Sequence, residues 1–240
     1  MTINDIYKRL DTISPFELQE SWDNSGLQIG SRDDEVKQIV LSIDLDNELI
    51  DSSDAGTLFI VHHPLIFGKL TALDFDTYPS NLIQKMIVKN QKLIAMHTNF
   101  DQTHLNRYVA EAVLGLTATS VETFIIYAQL EGTFDQVCDK VQTDLGLEQL
   151  KVIQGKQNIQ TIALCTGSGA SLIPEVKADL FLTGDIKYHD AMMAKSLNLA
   201  MIDIGHFESE HHFTHALKQE LRDWPISVII SNSKNPFSYI

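Results

Sequence analysis

Two adjacent histidines, His62 and His63, end the apolar run Leu58-Phe59-Ile60-Val61 and are followed at once by Pro64. Imidazole is a common metal ligand and titrates near neutrality. Neighbouring side chains of a strand point in opposite directions, so one such pair can address two ions, one on each side. The bland alternative is a pair of hydrogen-bonded loop histidines. A second motif, His97-Thr98-Asn99-Phe100-Asp101, directly follows the apolar run 93–96. There Asp101 or His97 could reach the histidine pair, and the alternative for Asp101 is a helix N-cap. A third motif, Gly205-His206-Phe207-Glu208-Ser209-Glu210-His211-His212, follows the run 199–204. On a helix His206 and Glu210, four residues apart, share a face and form a bidentate metal clip. Glu208 points elsewhere and suits the first turn of a helix. His211, His212 and His215 read as a solvated helix surface. The His-Glu-x-x-His pattern is absent, so a zincin protease is not indicated.

Three strand ends thus offer His/His, Asp and His/Glu. Such a set, with no cysteine, suits Zn, Fe or Mn better than a thiolate structural site. Two ions served by so few side chains must share one, and the carboxylate of Glu210 or Asp101 can bridge. Few protein ligands leave open positions for water, the mark of a catalytic site. Ions about 3.5–4 Å apart can activate that water and polarise a substrate oxygen. A lesser alternative is a single ion on His206 and Glu210 alone. Thr166-Gly167-Ser168-Gly169 offers amides for an anion, or simply a tight turn. Trp22-Asp23-Asn24-Ser25-Gly26 reads either as a packed loop or as a lip over the site, with Asp23 within reach of water or substrate. His189, behind Thr183-Gly184-Asp185 and Tyr188, is a proton carrier or a helix-surface histidine.

The elements that must position these groups alternate along the chain. Strand-like runs fall at 38–42, 58–62, 93–96, 120–128, 161–165, 180–182, 199–204 and 226–230. Helix-like segments fall at 3–10, 47–54, 80–89, 105–114, 134–144, 186–197 and 208–221, with Ser80 and Thr103 as N-caps. Alternation of this kind predicts an α/β fold, whose sites lie beyond strand ends. The softest boundary, near Gly115–Ser120, divides the chain into domains 1–118 and 119–240, the last ~35 residues being free to pack back on the first domain.

The chain has 240 residues, 44% of them hydrophobic, enough for a sizeable core. No apolar stretch approaches a membrane span, and the first residues carry no secretory signal. The two cysteines, Cys138 and Cys165, sit in apolar contexts and read as reduced core residues of a cytoplasmic protein. A net charge of −14 argues against nucleic-acid binding.

Several motifs occur together in a known order: Trp22 to Gly30, His62-His63-Pro64-Leu65-Ile66-Phe67, His97 to Asp101, Thr166 to Gly169, Thr183-Gly184-Asp185 with His189, Gly205-His206 with Glu210, and Asn235-Pro236-Phe237. In these the chain resembles the NIF-three-like family of GTP cyclohydrolase I type 2 homologues over nearly its whole length. The resemblance implies two α/β domains of similar size with a dinuclear metal site in the cleft between them. It implies two divalent metal ions per chain on His62, His63, Asp101, His206 and Glu210. One ion would take His63 and Asp101, the other His62 and His206, with Glu210 bridging. It also implies a homohexamer with sites facing an internal cavity. Two departures are visible: Glu208 stands where the family usually has a small residue and Ser209 where Thr is common, and the long insert of some members is missing. The resulting expectation is a metal-dependent hydrolase of a small, nucleotide-like substrate, with His97 or His189 moving protons. No basic clamp for a triphosphate is evident. The alternative is a non-catalytic metal-binding scaffold or regulatory partner protein.

Overall fold

Short β-branched and aromatic runs bury both faces, as strands of a covered parallel sheet must. In the computed structural model, which describes residues 1–238, Leu58–Val61 is buried along its whole length, and so is Lys92–Ala95. The chain forms two α/β units. One comprises Met1–Phe100 with Phe213–Pro236, and the other Asp101–His212 with Phe237 and Ser238. The chain therefore leaves the first unit between Phe100 and Asp101 and re-enters it between His212 and Phe213. The soft stretch at 115–120 lies inside the second unit, at the start of a strand.

The first unit holds strands β1 (Gly26–Ile29), β2 (Gln38–Ser42), β3 (Leu58–Val61), β4 (Lys92–Ala95) and β11 (Ser227–Ile230), in the order β1-β4-β3-β2-β11. All neighbours are parallel except β1, which runs antiparallel to β4. The central β3, which ends at the histidine pair, is flanked on both sides. Phe59, Val61, Leu93 and Ala95 pack against Leu82, Ile83 and Met86 of the helix Ser80–Val88. The second unit holds β5 (Ala118–Glu122), β6 (Ile125–Thr133), β7 (Lys151–Ile153), β8 (Asn158–Leu164), β9 (Leu180–Thr183) and β10 (Ala200–Asp203), ordered β5-β6-β8-β9-β10-β7. Its parallel centre, β8-β9-β10, is bordered by antiparallel neighbours. Phe181, Met201 and Ala163 anchor its core.

Several boundaries differ from the sequence reading. The run 120–128 is two strands, not one, because the chain reverses at Thr123 in a left-handed conformation (φ 49°). Ser80 is the first helical residue behind Pro79 rather than the cap. Helical backbone starts at Thr98, so Thr103 and Asp101 both lie inside the helical stretch and neither is an N-cap. The expected helix 208–221 is two helices, His206–Glu210 and Phe213–Glu220, parted where the chain changes unit. Among the described residues no helix is long and apolar enough to cross a membrane.

Candidate metal centre

In the first unit β3 delivers His62 into the core and His63 to its margin. His62 is fully buried and its backbone amide donates to Ser42 and Ile43 carbonyls. Its Nδ1 lies 3.0 Å from the Met96 carbonyl, which can only accept, so Nδ1 carries the proton and the lone pair is on Nε2. His63 is oriented the same way, with Nδ1 2.9 Å from Asp44 Oδ1. Orientation of an imidazole by a carbonyl or carboxylate on its other nitrogen is the usual arrangement for a metal-ligating histidine. Beyond β4, His97 joins the pair. Ring nitrogens of His62, His63 and His97 lie within 4.8 Å of one another. The His97 ring sits edge-on to both, its centroid 5.1 Å from His62 and 5.6 Å from His63.

His97 is held by Asp23. The Asp23 carboxylate accepts from His97 Nδ1 (2.9 Å), Thr98 N (3.1 Å), Thr98 Oγ1 (2.5 Å), Asn24 N (2.6 Å) and Ser25 Oγ (3.0 Å). Burial opposes its charge, but the His97 hydrogen bond and the other donors outweigh that and hold the carboxyl well below the usual range. Its side chain is closed to solvent. Of the two readings the sequence offered, the Asp23 side chain fits the packed loop rather than a group within reach of water or substrate, and it orients His97. Phe100 and Phe213, the residues at which the chain leaves and re-enters this unit, pack edge to face at 5.1 Å. The Phe213 ring lies 5.0 Å from His62.

In the second unit three glycines shape the ends of β8, β9 and β10. A Cβ on Gly184 would lie 2.8 Å from Gly205 C and 2.9 Å from Gly167 O, so the three backbones touch. Gly167 (φ +61°) lies against Glu210, where a side chain would overlap Oε1. The Thr166-Gly167-Ser168-Gly169 segment is therefore a tight turn that also makes room for Glu210. Ser209 ties the clip to it, its Oγ accepting from Gly167 N at 3.0 Å and donating to Gly205 O at 2.7 Å. On the helix His206–Glu210, His206 Nε2 lies 2.9 Å from Glu210 Oε2, while its Nδ1 lies 2.7 Å from Asp185 Oδ2. Carboxylate oxygens of Asp101 and Glu210 come within 4.8 Å of each other, and the two residues are only 9% and 3% exposed. Asn106 steadies the Asp101 turn, donating to Asp101 O (3.0 Å) and accepting from Thr166 N (2.7 Å).

The buried Cys165 thiol is pushed up by burial and by the negative charges of Asp101 and Glu210, so it stays protonated. The candidate metal donors gathered in this unit, on Asp101, His206 and Glu210, are oxygen and nitrogen, which fits Zn, Fe or Mn. Both cysteines are free thiols. His189 stands exposed on the helix Tyr188–Ser196, edge-on to Tyr188 at 5.3 Å. Sequence reasoning missed the orienting residues Asp44 and Asp185 and the ties made by Asn106 and Ser209. Asp44 and Asp185 follow strand ends, Asn106 and Ser209 sit inside helical segments, and none carries a local pattern that marks its role.

Two α/β units, each gathering imidazoles or carboxylates at strand ends, define a class of α/β proteins with side-chain groups that could hold metal ions. The chain belongs to the Duf34/NIF3 (NGG1p interacting factor 3) family, whose model matches residues 1–236. It is 48% identical over 240 residues to a Campylobacter jejuni "GTP cyclohydrolase 1 type 2 homolog", covering 100% of both chains. It is 40% identical over 242 residues to a Helicobacter pylori "GTP cyclohydrolase 1 type 2", covering 99% of each. The fold is similar to the crystal structure of a Staphylococcus aureus hypothetical protein, with a TM-score of 0.89, 27% identity, and coverage of 100% of this chain and 99% of the other.

Proposed function

We propose that the chain is a dinuclear metal-dependent hydrolase of a small, nucleotide-like substrate. His62, His63, Asp101, His206 and Glu210 would hold two divalent cations, with Glu210 shared between them. The observation that carries this reading is the common orientation of the histidines. Nδ1 of His62, His63 and His206 each faces a carbonyl or carboxylate, which directs Nε2 to a common task. The buried Asp101 and Glu210 carboxyl groups lie within 4.8 Å of each other, an arrangement that a divalent cation would stabilise.

When bound, such ions activate water and polarise the bond under attack. The protein's own contribution is proton handling and orientation. His97 lies beside the histidine pair with Nδ1 tied to ionised Asp23, so Nε2 can take a proton from water and return it to the leaving group. His189 is the second candidate for that task. The substrate class rests on the names of the curated relatives, two of which are called GTP cyclohydrolase 1 type 2. A homohexamer is part of the same proposal.

The test is to purify the chain with its metals, quantify them, and screen GTP, other nucleotides and phosphoesters. Metal-dependent turnover that His97→Ala lowers by about 10²–10⁴-fold, with metal content intact, supports the hydrolase. A metal-replete protein inert toward every class is the scaffold instead.

A further inference from the structure

Two large aromatic rings stand exposed beside the oriented histidines. Trp22 is 56% and Phe67 51% exposed, and their centroids are 5.9 Å apart. Each lies 6.1 Å from the His97 ring and edge-on to it. Exposed rings are common on protein surfaces, but these are fastened from below. Asp23, next to Trp22, is locked by five hydrogen bonds. The turn carrying Phe67 is stitched to the Trp22 turn. Asn24 Nδ2 and Gln28 Nε2 both donate to Ile66 O (2.5 and 3.1 Å), and Ile66 N donates back to Gln28 Oε1 (3.0 Å). Two apolar faces are thus held in fixed positions on neighbouring turns without being buried, and both abut the ring proposed to move protons.

We infer that Trp22 and Phe67 form a stacking lip that binds a planar aromatic heterocycle, of nucleobase size, at the edge of the histidine cluster. Aromatic side chains with open faces hold flat rings by stacking, with little demand on which ring it is. A ring resting on the Trp22 or Phe67 face would present its edge toward His97, His62 and His63. The lip thereby deepens the proposed function, on which it rests, by assigning the residues that recognise the flat part of the substrate. Base identity would be read elsewhere.

The test uses the full, metal-loaded chain. Trp224→Phe leaves Trp22 as the sole tryptophan, so its fluorescence reports on the lip. Guanosine, adenosine and cytidine should each quench it saturably, and ribose 5-phosphate, which has no flat ring, should not. Phe67→Ala in the same background should weaken nucleoside binding by about tenfold, with far-ultraviolet dichroism and metal content unchanged. The inference is overturned by nucleosides that fail to quench, by equal quenching from ribose 5-phosphate, or by Phe67→Ala leaving affinity unaltered. It is also overturned if Phe67→Ala changes only the oligomeric mass, which would make the rings an interface between copies. Metal analysis of the same samples separates the two readings. Metals without quenching remove the lip and keep the dinuclear centre; quenching without metals keeps the lip and removes the centre.

Discussion

Replacing Gly167 with alanine isolates the close approach on which Glu210 depends. Gly167 and Gly115 share almost the same left-handed backbone, φ +61° and +63°. For a residue with a Cβ that conformation costs about 1–2 kcal/mol. In a chain of this size the cost lowers Tm by roughly 2–8 °C. A Cβ at Gly115 meets nothing within 4 Å, whereas at Gly167 it overlaps Glu210 Oε1. Relief requires moving a carboxylate that is 3% exposed, or a turn tied to Ser209 and to the Gly184 amide. A disturbance of that kind at a metal ligand lowers affinity by about 10–100-fold. Metal affinity by competition with a chromophoric chelator, with Tm by scanning calorimetry, compares the two variants. Gly115→Ala should lose stability alone, and Gly167→Ala should lose stability and metal affinity together. Equal metal affinity in both variants would refute the claim that Gly167 makes room for a metal-binding Glu210.

Two further outcomes follow from the second unit. Asp179 accepts from Gln160 N, Thr161 N and Thr161 Oγ1 and pairs with Lys156, and although burial opposes its charge these partners lower its pKa. Its stabilisation is complete above the unfolded carboxyl value, about 4, and is lost as pH falls through the lower folded value. Asp179→Asn should therefore cost about 2 kcal/mol at neutral pH, and the gap to wild type in urea melts should close below about pH 4; a gap that is constant down to pH 2 would contradict this. The Cys138 thiol is pushed up to about 11 by burial and by Asp135 and Asp139. At pH 8 only about one thiol in a thousand is ionised, so Ellman's reagent should react with it far more slowly than with glutathione; parity would count against that environment.

The strand ends that carry His62, His63 and His206 were legible because four-residue apolar runs ending in polar residues have few other meanings in an α/β chain. The face shared by His206 and Glu210 was legible from their spacing, although their helix starts at His206, two residues before the expected start, and ends at Glu210. The change of unit between Phe100 and Asp101 was hidden. It falls within a continuous helical stretch, with no glycine, proline or shift of composition to mark it. Strands β1 and β7 were missed for a related reason. Each is only three or four residues long and carries polar side chains, so its pairing partner rather than its own pattern makes it a strand. The roles of Asp44, Asp185 and Asn106 arise from long-range contacts that no local periodicity records.

Metal content per chain, measured by plasma mass spectrometry on wild-type protein and on His63→Ala, tests the shared dinuclear centre most directly. The account predicts about two divalent ions per chain in the wild type and a fall toward one in the variant. One ion or fewer per chain, unchanged by His63→Ala, would contradict it.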